Sequence, residues 1–210
     1  MEDFIWIASY PRSGNTYLRT ILRHVFGLRS ASIYPNDLAG NKALEAYVGH
    51  VEYNSMMQKR IHNEPLLIKT HEYARDNRPA IYIIRDGRAA CVSLWKFYDC
   101  TKSMESVVEG FYRFGTWGNH VKSWGPWARP NTLLLKYEDL RDDLPMCLEM
   151  LSQFLKIEVV STVIPDRDII AAADGKWVKK ETDWRAELNG ENLRKFMEIN
   201  GEILNKAGYL

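Results

Sequence analysis

Phe4-Ile5-Trp6-Ile7-Ala8-Ser9-Tyr10-Pro11-Arg12-Ser13-Gly14-Asn15-Thr16-Tyr17-Leu18-Arg19 is the stretch whose reading decides the fold. It begins as a short apolar run of β-branched and aromatic residues, the pattern of a buried strand. It breaks at Tyr10-Pro11-Arg12-Ser13-Gly14, a turn composition. It resumes with Leu18, Ile21, Leu22, Val25 and Phe26 at helical spacing. Strand, glycine-bearing loop and helix together suit an anion, because a helix N-terminus presents unpaired N–H groups and the positive end of its dipole. The common phosphate-loop pattern G-x-x-x-x-G-K-[ST] would require Gly at position 9 and Lys at position 15. This chain has Ser9 and Asn15 there; Gly14 and Thr16 keep the register, and the cation moves to Arg12. Taken alone, the stretch also fits a plain strand–turn–helix with incidental Gly and Arg.

Working outward, residues 65–71, 80–87 and 131–139 are three further apolar runs. They are continuous rather than alternating, which marks strands buried on both faces. They predict an α/β fold: a three-layer sandwich with a mostly parallel central sheet of four to five strands and a phosphate-binding loop after the first. Helical spacing predicts helices over 89–97, 104–124 (one long amphipathic helix), 144–155 and 191–207, with Gly27 and Gly208 as helix stops. A polar loop is expected through Ser32 and Pro35-Asn36-Asp37. Residues 37–63 read as irregular helix, with Leu38, Leu44, Tyr47, Val48, Met56, Met57 and Ile61 forming either core or an acceptor-side insertion. There is no internal repeat and no linker, so residues 1–210 are expected to form a single domain.

A length of 210 residues suits one such domain. The formal net charge of +1 gives no support for binding nucleic acid by blanket phosphate neutralisation, though local basic clusters can hold one small anion. Cys91, Cys100 and Cys147 are scattered without a CxxC pair, which fits a reducing compartment and points away from a zinc site. No run approaches the ~20 apolar residues of a membrane helix. The Met1-Glu2-Asp3 opening carries no basic leader, so a soluble, cytoplasmic protein is expected.

In an open parallel sheet, ligands bind at the carboxyl ends of the strands. Those ends carry Arg12, then Lys69 and His71, then Arg85, then Tyr137. Cations therefore collect where a nucleotide's phosphates would sit. His71 is a candidate base, since an unperturbed imidazole titrates near pH ~6.5. Each residue has a bland reading by itself; their meeting on one edge gives them weight.

With these residues in hand, the chain resembles the PAPS-dependent sulfotransferases of the cytosolic and bacterial type. Residues 9–18 resemble the family's 5′-phosphosulfate loop, YPKSGTTWL. Residues 82–93 resemble its 3′-phosphate motif, in which an Arg and a Ser eight residues later grip that phosphate; Arg85 and Ser93 keep the spacing. Ile68-Lys69-Thr70-His71 resembles the K-T-H segment with the catalytic histidine, residues 135–140 the YEDL segment, and Asp183-Trp184-Arg185 the GDWK/GDWR end of the C-terminal motif. These similarities run in family order along nearly the whole chain.

The resemblance implies transfer of a sulfonate from PAPS to a hydroxyl or amine of a small-molecule acceptor. It implies His71 as base, and Arg12 and Lys69 as catalytic cations, Arg12 at the sulfonate and its bridging oxygen. It implies Arg12, Ser13, Gly14, Asn15, Thr16 and Tyr17 at the 5′ side, Arg85 and Ser93 at the 3′-phosphate, and Tyr137 beside the nucleotide. It implies no metal, no nucleic-acid partner and no membrane. The family's R-K-G is here Trp177-Val178-Lys179, which leaves Lys176, Lys179 or Lys180 as the C-terminal 3′-phosphate cation. A chain shorter than most members implies reduced substrate-binding loops. The competing functions are a small-molecule kinase using ATP at a degenerate loop, and a nucleotide-binding protein without catalysis.

Overall fold

Strand β1 (Phe4–Ser9) lies at the centre of a five-stranded, all-parallel sheet in the computed structural model, which describes residues 4–54, 65–173, 175 and 183–210. The other strands are β2 (Ser30–Ser32), β3 (Leu66–Thr70), β4 (Ala80–Ile84) and β5 (Thr132–Lys136), in the order β2-β3-β1-β4-β5. After β1 the chain runs to one side, through β2 and β3; it then crosses to the other for β4 and β5. The carboxyl end of β1 is therefore the switch point where such a sheet opens a crevice.

Alternation along the central strands sorts their side chains onto two faces. Ile7, Ile81 and Ile83 pack with helix α1 (Asn15–Phe26) and helix α7 (Leu144–Leu155). Ala8, Tyr82 and Ile84 pack on the other face, with helix α3 (Gly87–Phe97), helix α5 (Trp117–Trp124) and helix α9 (Gly190–Lys206). Every residue of β3 and β4 is buried, as their unbroken apolar runs predict. The three-layer reading thus holds, and the remaining helices are α2 (Lys42–Val48), α4 (Met104–Val108), α6 (Tyr137–Asp142) and α8 (Arg167–Ala173).

Two expectations need correction. The single helix over 104–124 is two helices, α4 and α5, because Gly110 (φ 82°) and Gly115 (φ 65°) take left-handed backbone between them. A Cβ on Gly110 would lie 2.6 Å from the Thr116 nitrogen, so the turn is tight as well as left-handed. Thr116 then caps α5 by accepting the Asn119 N–H (3.2 Å). The expected polar loop through Ser32 contains strand β2, a three-residue edge strand whose Ser-Ala-Ser has no apolar run to announce it. Within 37–63, a short 3₁₀ turn (Asp37–Gly40) and α2 are the described helical pieces. Leu38, Leu44 and Val48 are core residues there, packed with Ile170 of α8. Met56, Met57 and Ile61 lie outside the described residues.

Beneath the crevice lies a buried ion triad. Asp37 accepts from Arg19 of α1 (2.7 Å) and from Lys69 of β3 (2.6 Å), all three side chains being almost wholly inaccessible. Arg19 also donates to Ser30 Oγ of β2 (2.7 Å). The two cations hold the Asp37 carboxyl far below the usual carboxylate range even though burial opposes this. The triad ties α1, β2, β3 and the 3₁₀ turn together. Removing one partner leaves uncompensated buried charge, so Asp37→Ala is expected to cost about 3–5 kcal/mol of unfolding free energy. Chemical denaturation checks this; a loss below 1 kcal/mol would contradict it.

Candidate functional site

The loop between β1 and α1 takes left-handed backbone at Arg12 (φ 66°) and Gly14 (φ 97°). For Arg12 this is a strained choice, of the kind that concentrates at functional sites. For Gly14 it is compulsory twice over. A Cβ there would lie 2.4 Å from Cδ2 of Tyr137, so the ring fills the place a side chain would need. Gly14 caps α1 and offers no side-chain hydrogen bond to the helix's first amides. Asn15 turns back toward the sheet instead, its amide donating to the Ile7 carbonyl (3.2 Å) and Ser9 Oγ (3.4 Å). It pins the loop to β1 at the position where a phosphate loop of the kinase kind carries lysine.

One cavity of about 700 Å³ opens at the carboxyl ends of β1, β3, β4 and β5. Its walls include Arg12, Gly14, Asn15, Thr16 and Tyr17 from the loop and α1, Lys69 and His71 beyond β3, Arg85 beyond β4, Ser93 of α3, and Tyr137 of α6. Ser13, between these loop residues, is buried, and among the described residues its hydroxyl has no hydrogen-bond partner. Lys179, Lys180 and Lys176 lie outside the described residues.

Within the cavity, two guanidiniums and a hydroxyl converge. Arg12 Nε donates to Ser93 Oγ (3.2 Å), and Arg85 Nη1 donates to the Arg12 carbonyl (2.9 Å). Burial, reinforced by the like charge of Arg85, pushes the Arg12 guanidinium down to about 10. Arg85 lies 4.6 Å from the centre of the Tyr137 ring and Arg12 4.8 Å from that of Phe97, so aromatic faces support both cations. Like charges held this close in a poorly hydrated wall favour an anion between them. The resemblance sends Arg12 toward the sulfonate; here its Nε meets the serine of the 3′-phosphate pair.

His71 lines the same cavity, just beyond β3. Its Nδ1 lies 2.8 Å from the Ser9 carbonyl, which can only accept, so Nδ1 carries the proton and Nε2 keeps its lone pair. Tyr34 stacks on the imidazole (6.0 Å, 20°) and Phe114 meets it edge-on (6.0 Å). The His71 N–H donates to Tyr34 Oη (2.7 Å), and Tyr34 O–H donates to Glu72 (3.2 Å). Below it, His120 donates from Nε2 to the His71 carbonyl (3.0 Å) and accepts at Nδ1 from Tyr82 O–H (2.9 Å). Burial and then the Lys69 charge hold His71 well below the ordinary histidine value, and burial takes His120 to about 4. Lys69 itself is lowered by burial and supported by Asp37.

Sequence reasoning missed Asp37, Tyr34, Phe114 and His120. Phe114 was hidden by the helical spacing of 104–124. Asp37 and Tyr34 leave a signal only in their neighbourhood, a Tyr-Pro-Asn-Asp turn whose last residue pairs with two buried cations. Among the described residues no cluster of three or more His, Cys, Asp or Glu could hold a metal, and no helix is long and apolar enough to cross a membrane.

Residues 2–197 match the family model of the sulfotransferase domain. The chain belongs to the sulfotransferase family. It is 27% identical over 177 residues to human sulfotransferase 1E1, covering 73% of this chain and 59% of that protein. It is 29% identical over 173 residues to human sulfotransferase 2A1, with the same coverage of 73% and 59%. The chain therefore spans about three fifths of the length of these curated relatives. Among solved structures, mouse sulfotransferase SULT7A1 complexed with PAP (adenosine 3′,5′-bisphosphate) shares the fold at TM-score 0.70 and 18% identity, over 97% of this chain and 84% of that one. A retinol dehydratase in complex with androsterone and PAP does so at TM-score 0.62 and 20% identity, over 95% and 80%.

Buried His120 and half-buried His71 give this sulfotransferase domain an acid-sensitive fold. The unfolded chain takes up protons near the ordinary histidine value of ~6.5, whereas the folded chain resists until lower pH. Stability is thus full above that value and falls as pH drops from ~6.5 toward the His120 value of about 4. Denaturation midpoints at a series of pH values check this; a flat profile across that window would contradict it.

Proposed function

We propose that this chain transfers a sulfonate from PAPS to a hydroxyl or amine of a small-molecule acceptor, by in-line displacement. The observation that carries the reading is a cavity lined by both a neutral imidazole and the Arg12–Arg85–Ser93 cluster, with the glycine-capped N-terminus of α1 in the same wall. Family membership favours it over an ATP-dependent kinase or a binding protein without catalysis. The PAP carried by the solved relatives supports a 3′,5′-bisphosphorylated nucleotide as donor.

The residues fit such a nucleotide. The space beside Gly14 admits no side chain, the cap offers no side-chain hydrogen bond to the first amides of α1, and the Ser13 hydroxyl has no hydrogen-bond partner among the described residues. Ser13, Gly14, Asn15, Thr16 and Tyr17 would hold the 5′ side, Arg85 and Ser93 the 3′-phosphate, and Tyr137 would wall the nucleotide between them. When bound, PAPS supplies an activated sulfonate on a phosphate leaving group.

His71 Nε2 takes the acceptor's proton, its ring held by Ser9, Tyr34 and Phe114. Desolvation keeps that nitrogen unprotonated at neutral pH. Arg12 and Lys69 supply preorganised positive charge where negative charge grows on the leaving side, Lys69 from a position fixed by Asp37. The aromatic rings of Tyr34, Phe97, Tyr98 and Phe114 line the cavity, Tyr34 and Phe114 directly against His71, and suit an apolar acceptor. The unpaired cysteines Cys91, Cys100 and Cys147 suit a cytoplasmic setting.

His71→Ala is expected to lower turnover by about 10²–10⁴-fold, the range for loss of a general base, while PAP affinity persists. Sulfation assayed with labelled PAPS, alongside calorimetric PAP binding, checks it; near-normal turnover would remove His71 from the role. Arg85→Ala is expected to weaken PAP more than adenosine 5′-phosphosulfate. Equal losses for the two ligands would take Arg85 away from the 3′-phosphate.

A further inference from the structure

Arg85 ends β4, and the residue after it is held from a distant part of the chain. The Asp86 N–H donates to Glu138 Oε1 (3.1 Å). The other oxygen of the same carboxylate, Oε2, accepts from Tyr209 O–H (2.8 Å). Tyr209 is itself fixed on three sides. Its N–H donates to the Leu204 carbonyl at the end of α9 (3.1 Å), and the Lys136 ammonium lies 4.9 Å from the ring centre. Its carbonyl accepts from Arg88 Nη2 (2.8 Å), and that nitrogen also donates to the Asp86 carboxylate (2.8 Å).

Two consecutive residues of α6 therefore grip two consecutive residues after β4. Tyr137 places its ring against the Arg85 guanidinium, while Glu138 fixes the amide of Asp86. Nothing in the sulfonate-transfer steps uses Glu138 or Tyr209, and neither lines the cavity. Burial, then the Glu138 charge, raises the Tyr209 phenol above its ordinary range, so it stays a donor at any working pH.

We propose that Glu138 and Tyr209 form a latch that positions Arg85, and thereby set the preference for a nucleotide phosphorylated at both 3′ and 5′ positions over one phosphorylated at 5′ alone. The inference rests on the reading of Arg85 as the 3′-phosphate cation. The physical reason is directional. A carboxylate held at both oxygens cannot swing, so the amide it accepts from is fixed, and so is the residue before that amide. Removing the tyrosine hydroxyl frees one oxygen, lets Glu138 rotate and loosens the aim of Arg85. The 5′ side, built by the β1–α1 loop and Tyr137, makes no use of this hydroxyl.

The test is calorimetric titration of the full chain with PAP and, separately, with adenosine 5′-monophosphate, for the wild type, Tyr209→Phe and Glu138→Gln. The loss of one hydrogen bond corresponds to roughly a fivefold weakening of PAP binding, with the monophosphate unchanged within about twofold. Tyr209→Phe deletes a single oxygen from a partly buried ring; should Glu138→Gln fail to fold, Tyr209→Phe decides alone. Equal weakening for both nucleotides would mean general loosening and overturn the latch, as would unchanged PAP affinity. A wild-type chain that binds neither nucleotide, or binds both alike, would instead overturn the donor-site reading itself, before any variant is compared.

Discussion

Everything at the site hangs on the contact between Gly14 and Tyr137. The ring approaches so closely that a Cβ on Gly14 would lie 2.4 Å from it. This forces glycine at the mouth of α1, and glycine in turn allows the left-handed turn that ends the loop. The same ring then serves Arg85 with its face. One aromatic side chain thereby spaces the anion-facing end of a helix from a buried guanidinium. The sheet order makes this possible: β1 is central, so the loop after it is flanked by the ends of both β3 and β4.

The electrostatics are lopsided by construction. Arg12, Arg19, Lys69 and Arg85 are all largely buried near the carboxyl edge of the sheet, and Asp37 is the acidic group paired with two of them, Arg19 and Lys69. Arg12 and Arg85, which both line the cavity, repel one another, which is one of the two reasons the Arg12 guanidinium is lowered. Such a wall is stable because the triad below is satisfied and because aromatic faces cover the guanidiniums. It is also preorganised: charge held in place by the fold needs no rearrangement when an anion arrives.

Much of this was legible in the sequence, and the physical reasons for the rest are specific. β1, β3 and β4 were readable because burial on both faces demands continuous apolar runs. Arg12, Lys69, His71 and Arg85 were readable because a parallel sheet delivers its strand ends to one edge. The cavity does bring them together. β2 was not readable: three small residues satisfy the ladder by backbone alone. The break between α4 and α5 was overridden by helical periodicity, although Gly110 and Gly115 were in plain view. Asp37 and Tyr34 were not readable as site residues, because their meaning comes from partners 32 to 37 positions further along the chain.

The first loop and helix occupy positions 10–26, yet the ring that shapes the loop is at 137 and the hydroxyl held by Glu138 is at 209. Contacts of such separation form late, since closing long loops is costly before many other contacts exist to reward it. A growing chain therefore carries its β1–α1 loop for most of synthesis without the ring that gives the loop its shape. Until the chain beyond β5 docks, Arg85 lacks the aromatic face that Tyr137 gives it. Assembly of the cavity wall and completion of the fold are thus linked, and an incompletely folded chain is also one that lacks the formed cavity.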